Sequence, residues 1–317
     1  MGRSGKQILG LLLGVGLGAL YWYQRQEKET VINQLRADSK VAAGKRGPIE
    51  YTLRGTGPAV VVLHGGMGGY EQGQAVADLL GLVGYQVITL SRPGHRQTPL
   101  RTGESLAGKA SVVRDLLDFL HIDEAVVVAL SAGGITALQF GIDYPERCRG
   151  LVLVSAHGPS LKDRQPAPGW LWLLNVMMSS DFLVWLVMRF GLGGLVRLMG
   201  DYYNDQLFNH LFRDVFPSSD WREGVMNDIE VLVGLRHMPL EAIQAPTLVV
   251  HGTGDVIVPY QVALDTLRRV PRAQLRTIER GTHVMVVSRR QEVAAAVARF
   301  LVALEAEDSN DNLVIQE

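Results

Sequence analysis

The stretch Ala125-Val-Val-Val-Ala-Leu-Ser-Ala-Gly-Gly134 decides how this chain of 317 residues folds. Its first residues are apolar and mostly β-branched, which predicts a buried strand. The run breaks at Ser131 and the glycines after it, and a helical pattern follows over residues 135–144. A serine on such a sharp turn exposes its hydroxyl if the residues two before and two after it are small, and here they are Ala129 and Gly133. By itself the segment fits equally well a strand, a turn and a helix capped by Ser131.

Further buried strands and amphipathic helices alternate on both sides of this stretch. Strands are predicted at residues 40–53, 59–63, 85–90, 150–155, 246–251 and 273–278. Helices are predicted at residues 71–82, 105–121, 259–270 and 291–304. The alternation predicts an α/β fold in which helices flank a mostly parallel sheet on both faces. The core of this fold comprises residues 40–156 and 246–304.

Between the two parts of the core, residues 157–245 predict an inserted helical cap with no clear strand. Its segments 170–178 and 182–188 are apolar nearly all round and rich in Trp and Met. That composition is typical of a hydrophobic pocket wall or a membrane-facing surface, although an ordinary helical core would look the same. After the core, the acidic residues 305–317 predict a disordered tail.

The N-terminal segment is uncharged over residues 8–23 and mostly apolar, and the three aromatic residues at 21–23 border it like a membrane belt. As a helix it would span about 24 Å, against about 30 Å of membrane hydrocarbon. We therefore predict that residues 1–26 form a membrane anchor and that residues 27–39 form a linker. A cleaved signal peptide is the alternative, although no typical cleavage site follows.

Two features of this segment bear on location and assembly. Arg3 and Lys6 precede the apolar stretch, which favours a main domain outside the cytoplasm, or a secreted protein if the segment is removed. Gly10, Gly14 and Gly18 share one stripe of the helix, and such a stripe can join two membrane helices into a homodimer. Glycine is also common in membrane helices that do not pair.

Composition excludes several classes of function. The net charge of −1 gives no basic footprint for nucleic acid. A single cysteine, Cys148, cannot form an intrachain disulfide. The sequence has no Cys/His cluster with zinc spacing and no GxxxxGK[ST] phosphate loop, so neither a metal nor a cofactor is predicted.

Three residues of complementary chemistry each follow a predicted strand, namely Ser131, Asp255 and His283. The carboxyl ends of parallel strands line one crevice, so these side chains are expected to meet there. A serine hydroxyl becomes a good nucleophile when a base removes its proton. Histidine performs this near neutral pH, and a carboxylate fixes its tautomer and orientation.

Residues 40–304 resemble an α/β-hydrolase-fold serine hydrolase with a helical cap. Five motifs carry the resemblance: His64-Gly65-Gly66, Ser91-Arg92-Pro93-Gly94-His95, the turn around Ser131, His251-Gly-Thr-Gly-Asp255 and Gly281-Thr-His283. The chain order Ser, Asp, His is also that of the family. Two positions depart from its pattern, because Ala129 replaces a glycine and Arg96 stands where a second glycine is common. Neither departure removes a reacting group.

The resemblance implies a role for each residue of the site. Ser131 would be the nucleophile, His283 the base and Asp255 the acid. The backbone N–H groups of Gly66 and Ala132 would form the oxyanion hole. Among the other histidines, we expect His64 to brace the glycine loop and His251 to pack at the end of its strand.

The leading hypothesis is hydrolysis of a small hydrophobic ester through an acyl-enzyme. Lipid-like esters are among the substrates that this hypothesis includes. Its anchor and apolar cap make the chain similar to monoacylglycerol-lipase-type enzymes. Two alternatives keep the fold and change the bond: a peptidase or amidase of the proline iminopeptidase type, and a carbon–carbon bond hydrolase. A non-catalytic binding protein with this fold is a further alternative, which the intact set of reacting residues disfavours. Epoxide hydrolases and dehalogenases need an aspartate nucleophile, and Ser131 argues against them.

Overall fold

A single eight-stranded sheet organises the computed structural model, which describes residues 3–159, 172, 175–191, 211, 215–235 and 237–314. The strands are β1 Lys40–Gly44, β2 Gly47–Arg54, β3 Ala59–Leu63, β4 Gln86–Leu90, β5 Ala125–Leu130, β6 Cys148–Val154, β7 Thr247–Gly252 and β8 Ala273–Ile278. Their order is β1-β2-β4-β3-β5-β6-β7-β8. The first two strands pair antiparallel, β2 is antiparallel to β4, and all other pairs are parallel. The predicted α/β fold is confirmed.

Nine α-helices with defined ends connect and cover these strands in the described part of the chain, and residues 175–178 are helical as well. They are α1 Arg3–Asp38, α2 Tyr70–Leu80, α3 Leu106–Phe119, α4 Gly133–Asp143, α5 Asp181–Leu186, α6 Arg222–Gly234, α7 Tyr260–Arg269, α8 Met285–Ser288 and α9 Arg290–Val314. Their ends follow local chemistry. The Ser105 hydroxyl, for example, accepts the backbone N–H of Gly108 at 3.1 Å and caps α3.

The core lies on both faces of the sheet, because successive side chains of a strand point to opposite sides. Val61 and Val127 face one apolar cluster, which α3 and α4 cover, whereas Val60 and Val126 face the other, which α2 and α9 cover. Strand β5 is central and every one of its residues is buried. The loops after β3, β5, β7 and β8 therefore emerge at the same edge of a rigid layer.

The N-terminal helix differs from the sequence prediction. Helix α1 is 36 residues long and continues to Asp38, so the predicted linker over residues 27–39 is helical almost throughout. Residues 24–36 are mostly good helix formers, and nothing in them stops the helix that begins upstream. Within residues 3–314, as far as they are described, no helix is long and apolar enough to cross a membrane. The predicted membrane anchor at residues 8–23 is therefore not supported.

The second half of α1 lies against the cap and the core. The Tyr23 and Trp185 rings contact edge to face at 6.1 Å between centroids. Lys28 Nζ lies 2.5 Å from a carboxylate oxygen of Asp181, in α5. Near the end of α1, the Tyr70 hydroxyl donates to the Leu35 carbonyl at 2.7 Å. These contacts tie one helix to both parts of the molecule.

Two other predicted segments differ in extent from what was expected. The tail predicted as disordered, residues 305–317, is helical as far as Val314, because α9 continues beyond the core through Glu305 and its helix-forming neighbours. Much of the predicted cap, including residues 160–171 and 192–210, lies outside the described residues. Its described part has a small core of its own, in which the buried Trp221 packs with Met178, Val215 and Val225.

Candidate active site

Ser131 occupies a sharp turn directly after β5. Its φ is 49°, a left-handed conformation that a residue with a β-carbon adopts only when its surroundings require it. The Ser131 N–H donates to the Val154 carbonyl at 3.1 Å, and α4 begins two residues later. A β-carbon on Gly133 would lie 2.9 Å from the carbonyl oxygens of both Leu63 and His64. The turn therefore has no room for a side chain at that position, as the sequence pattern requires.

The structure brings Ser131, His283 and Asp255 into contact. His283 follows β8, and its Nε2 lies 3.0 Å from Ser131 Oγ. On the other side of the ring, Nδ1 lies 2.9 Å from Asp255 Oδ2. The Asp255 carboxylate is buried, whereas the His283 side chain is 15% exposed, so the solvent-facing end of the chain of contacts is the Ser131–His283 end.

Asp255 accepts two backbone hydrogen bonds and faces two histidines. The backbone N–H groups of Ile257 and Val258 donate to its Oδ1 at 2.9 and 2.8 Å. His283 Nδ1 lies 2.9 Å from Oδ2. His251 Nε2 hydrogen-bonds the Val258 carbonyl at 2.9 Å and lies 3.4 Å from Asp255 Oδ2. Burial alone would raise the pKa of Asp255, but hydrogen bonds from His251 and His283 outweigh it and hold the pKa well below its ordinary value.

The ionised carboxylate fixes the tautomer of His283. A carboxylate only accepts hydrogen bonds, so His283 Nδ1 must carry the proton that it donates to Asp255. Its Nε2 is then free to accept the Ser131 O–H. The contribution of His251 to this arrangement was not predicted from the sequence, which placed it in strand-end packing. The spacing of four between His251 and Asp255 was the only signal that could have suggested it.

The glycine-rich loop after β3 lies against the Ser131 turn. A β-carbon on Gly65 would stand 3.5 Å from Ser131 Cβ, so the loop passes directly beside the serine. Gly66 is the next residue of that loop, and Ala132 directly follows the serine at the start of α4. Both predicted oxyanion-hole residues therefore belong to segments that border Ser131.

The carbonyl groups of this loop are fixed from behind by three buried side chains. Arg92 Nη2 donates to the Gly65 carbonyl at 2.6 Å, and His64 Nδ1 lies 2.8 Å from the same oxygen. His95 Nε2 lies 3.0 Å from the Gly66 carbonyl. Burial, followed by the charge of Arg92, lowers the pKa of His95 to about 3 and that of His64 well below its ordinary value. Both rings are therefore neutral at neutral pH, and His64 braces the loop as predicted.

His157 is a further residue of the site that the sequence did not identify. It follows β6, and its backbone N–H donates to the Ser131 carbonyl at 2.9 Å. Burial, and then the neighbouring His283, lower its pKa to about 4. In the described part of the chain, no three His, Cys, Asp or Glu side chains are grouped so that they could hold a metal ion.

Comparison with known proteins agrees with this architecture. Residues 58–289 match the family model of the alpha/beta hydrolase fold. An uncharacterized hydrolase of Bacillus subtilis, YcgS, is 29% identical over 256 residues, which are 75% of this chain and 89% of that protein. The 2-hydroxy-6-oxononadienedioate/2-hydroxy-6-oxononatrienedioate hydrolase of Burkholderia vietnamiensis is 30% identical over 278 residues, or 80% and 92% of the two chains.

A solved structure shows the same fold at lower identity. An esterase from Exiguobacterium antarcticum aligns with a TM-score of 0.67 and 19% identity, over 82% of this chain and 98% of that chain. The family model matches well over half of the chain, and the relatives are covered nearly end to end. The chain belongs to the α/β-hydrolase-fold family.

Proposed function

We propose that this protein is a serine hydrolase that cleaves a carboxylic ester through an acyl-enzyme. The observation that carries the proposal is the continuous contact from Ser131 Oγ to His283 Nε2 and from His283 Nδ1 to Asp255. Ser131 attacks the ester carbonyl while His283 takes its proton, and the same imidazolium then protonates the leaving alcohol. A water molecule, activated by His283, hydrolyses the acyl-serine and restores the hydroxyl.

The oxyanion of each tetrahedral intermediate needs two donors, which we assign to the backbone N–H groups of Gly66 and Ala132. Donors held in place before the reaction stabilise developing charge more than donors that must reorient. The buried groups behind the glycine loop provide such rigidity. The position of Ala132 at the first turn of α4 adds the favourable end of a helix dipole.

A hydrophobic substrate is favoured by the part of the cap next to the loop. Val225 of α6 has a methyl group that would lie 3.7 Å from a β-carbon on Gly66, so an apolar side chain borders the site.

Carbon–carbon bond hydrolysis is the second candidate, because the 30% identical relative is named a 2-hydroxy-6-oxononadienedioate/2-hydroxy-6-oxononatrienedioate hydrolase. The two reactions need the same three side chains but differ in the leaving group. Ester hydrolysis protonates the leaving group at oxygen, whereas carbon–carbon bond hydrolysis protonates it at carbon. The choice between them depends on substrate-contacting residues of the cap.

A substrate panel with an active-site probe tests the proposal. We expect a fluorophosphonate to label the wild-type protein and not Ser131→Ala. We also expect p-nitrophenyl esters of increasing chain length to be hydrolysed faster than amino-acid anilides or a 2-hydroxy-6-oxo-dienoate, whose absorbance falls on cleavage. Faster turnover of the dienoate would favour the second candidate, and faster turnover of the anilides would favour an amidase. Labelling with no turnover of any substrate would contradict the ester proposal.

A further inference from the structure

We propose that Asp228, a residue of cap helix α6, is a positioning residue for the oxyanion hole: it holds Arg92, which fixes the direction of the Gly66 N–H. This inference rests on the proposed function. It assigns to the cap a part in catalysis that is separate from contacting the substrate.

One peptide bond connects the buried contacts of the glycine loop to the oxyanion hole. The carbonyl of Gly65 and the N–H of Gly66 belong to the same planar trans unit, so they point in opposite directions. Arg92 Nη2 at 2.6 Å and His64 Nδ1 at 2.8 Å both hold the Gly65 carbonyl. Fixing that carbonyl on the buried side directs the Gly66 N–H to the opposite side. Glycine lacks a side chain that would restrict this peptide, so external contacts must set its orientation.

Two further contacts orient the Arg92 guanidinium. Its Nε donates to the His64 carbonyl at 3.1 Å and its Nη1 to Asp228 Oδ2 at 2.7 Å. The Arg92 side chain has no exposed surface, and that of Asp228 is 4% exposed. A planar guanidinium held at Nη1 and Nε has its Nη2 direction fixed as well. Asp228 therefore acts on the Gly65–Gly66 peptide through one rigid group.

A second buried cation also contacts Asp228. Lys109 of α3 is also fully buried, and its Nζ lies 3.0 Å from Asp228 Oδ1. Burial alone would raise the pKa of Asp228, but Arg92 and Lys109 lower it below its ordinary value. Asp228 is thus the anion between two buried cations, with His64 and His95 neutral beside them. Removing the Asp228 carboxylate would leave both buried cations without their anion and would destabilise the fold. A test of the positioning role must therefore measure stability and kcat separately.

A second connection between the cap and the same loop runs parallel to the first. Arg96 Nη2 lies 2.7 Å from Glu71 Oε1, and this oxygen accepts the N–H of Gly69 at 2.7 Å. The backbone N–H of Arg96 donates to the carbonyl of Asp220, in the cap, at 2.5 Å. Arg96 is the position at which the chain departs from the family pattern. The turn that carries both arginines therefore lies between the cap and the glycine loop.

Steady-state kinetics with a p-nitrophenyl ester test the proposal. We expect Asp228→Ala to lower kcat about 10- to 100-fold with KM nearly unchanged. Removing an oxyanion donor outright typically lowers kcat by about 100- to 1,000-fold, and a misdirected donor should lose a large part of that. Its melting temperature should fall by roughly 5–10 °C, because two buried cations lose their partner. Asp181→Ala is the matched control: it removes a cap carboxylate that contacts Lys28 rather than Arg92, and its kcat should equal that of the wild type.

A charge-compensated variant separates positioning from stability. Asp228→Ala combined with Lys109→Met removes one of the two buried cations together with the anion, so part of the loss in melting temperature should be recovered while kcat stays low. Recovery of kcat to the wild-type value along with the melting temperature would overturn the proposal. If the single variant does not fold, Arg92→Lys answers the same question, because a lysine keeps the charge next to Asp228 but cannot also hold the Gly65 carbonyl. A wild-type kcat in folded Arg92→Lys would likewise overturn the proposal.

The proposed function can fail separately. Ser131→Ala that retains hydrolysis would refute the nucleophile assignment whatever Asp228 does. If Ser131→Ala is inactive and the Asp228 variants keep the wild-type kcat, only the positioning role is refuted.

Discussion

Replacing Gly224 with alanine perturbs the contact between α6 and the turn that carries Arg92. The new β-carbon would lie 2.1 Å from Cε1 and 2.2 Å from Nδ1 of His95. Ordinary contact begins near 3.4 Å, so α6 or the ring must move by about 1.3 Å, which is 3.4 less 2.1. The Gly224 N–H also donates to the Gly94 carbonyl at 3.0 Å, and this bond would lengthen with the same movement.

Gly224→Ala has two opposing effects on the free energy of unfolding: a steric clash lowers it and a higher helix propensity raises it. Only the clash affects catalysis. Forcing a methyl group into a packed contact costs about 1–3 kcal/mol, whereas alanine in place of glycine favours a helix by about 1 kcal/mol. The free energy of unfolding should therefore fall by no more than about 2 kcal/mol. A displacement near 1 Å in a supporting group can cost about 100-fold in rate, and we expect kcat for a p-nitrophenyl ester to fall by about 10- to 100-fold.

Helix α6 offers its own control at its other end. At Gly234 an added β-carbon meets no heavy atom within 4 Å, so Gly234→Ala should leave kcat unchanged and not destabilise the protein. Urea unfolding and steady-state kinetics of the two variants, measured together, make the comparison. Equal kcat values for Gly224→Ala and Gly234→Ala, with both proteins folded, would refute the view that the packing of α6 against the Arg92 turn determines kcat.

The remaining predictions concern acid stability, the acid residue and the cysteine. Folded His95 and His157 have pKa values of about 3 and about 4, while an unfolded histidine titrates near 6.5. Between these values only the unfolded state binds the proton, so each of the two should lower the free energy of unfolding by about 1.4 kcal/mol per pH unit on acidification below about 6.5. Denaturant unfolding that gives the same stability at pH 7 and pH 5 would contradict this. Asp255→Asn should lower kcat about 10⁴-fold, because it alters the tautomer of His283, whereas Ser131→Ala should lower it about 10⁶-fold. A kcat of Asp255→Asn within tenfold of the wild type would refute the assignment of Asp255 as the acid. Burial raises the pKa of the Cys148 thiol to about 12, so Ellman's reagent should react only in denaturant, and rapid reaction of the native protein would contradict its position.

The sequence predicted the sheet well because its strands are short apolar runs with turns on both sides. Residues 59–63 and 125–130 are the clearest cases, since β-branched side chains that are buried on both faces leave few alternatives. The same pattern brought together Ser131, Asp255 and His283, because each follows a strand whose carboxyl end lies at the same edge. Motif resemblance and topology thus agree on these three positions.

What could not be predicted depends on contacts between distant segments. Asp228, Arg92 and Lys109 meet only because the cap packs on the core, and no local pattern marks a buried carboxylate in an amphipathic helix. Helix α1 is a similar case: an apolar stretch with an aromatic border predicts a membrane segment, whereas the contacts of Tyr23 and Lys28 with the cap cannot be predicted from the sequence.

The measurement that tests the central claim most directly is the intact mass of the protein after reaction with a fluorophosphonate, followed by peptide mapping. We expect one added phosphonyl group per chain, located on Ser131, and none on the folded Ser131→Ala protein or on protein unfolded before exposure. A folded Ser131→Ala protein that is still labelled, or a modification mapped to another residue, would contradict the claim that Ser131 is the nucleophile.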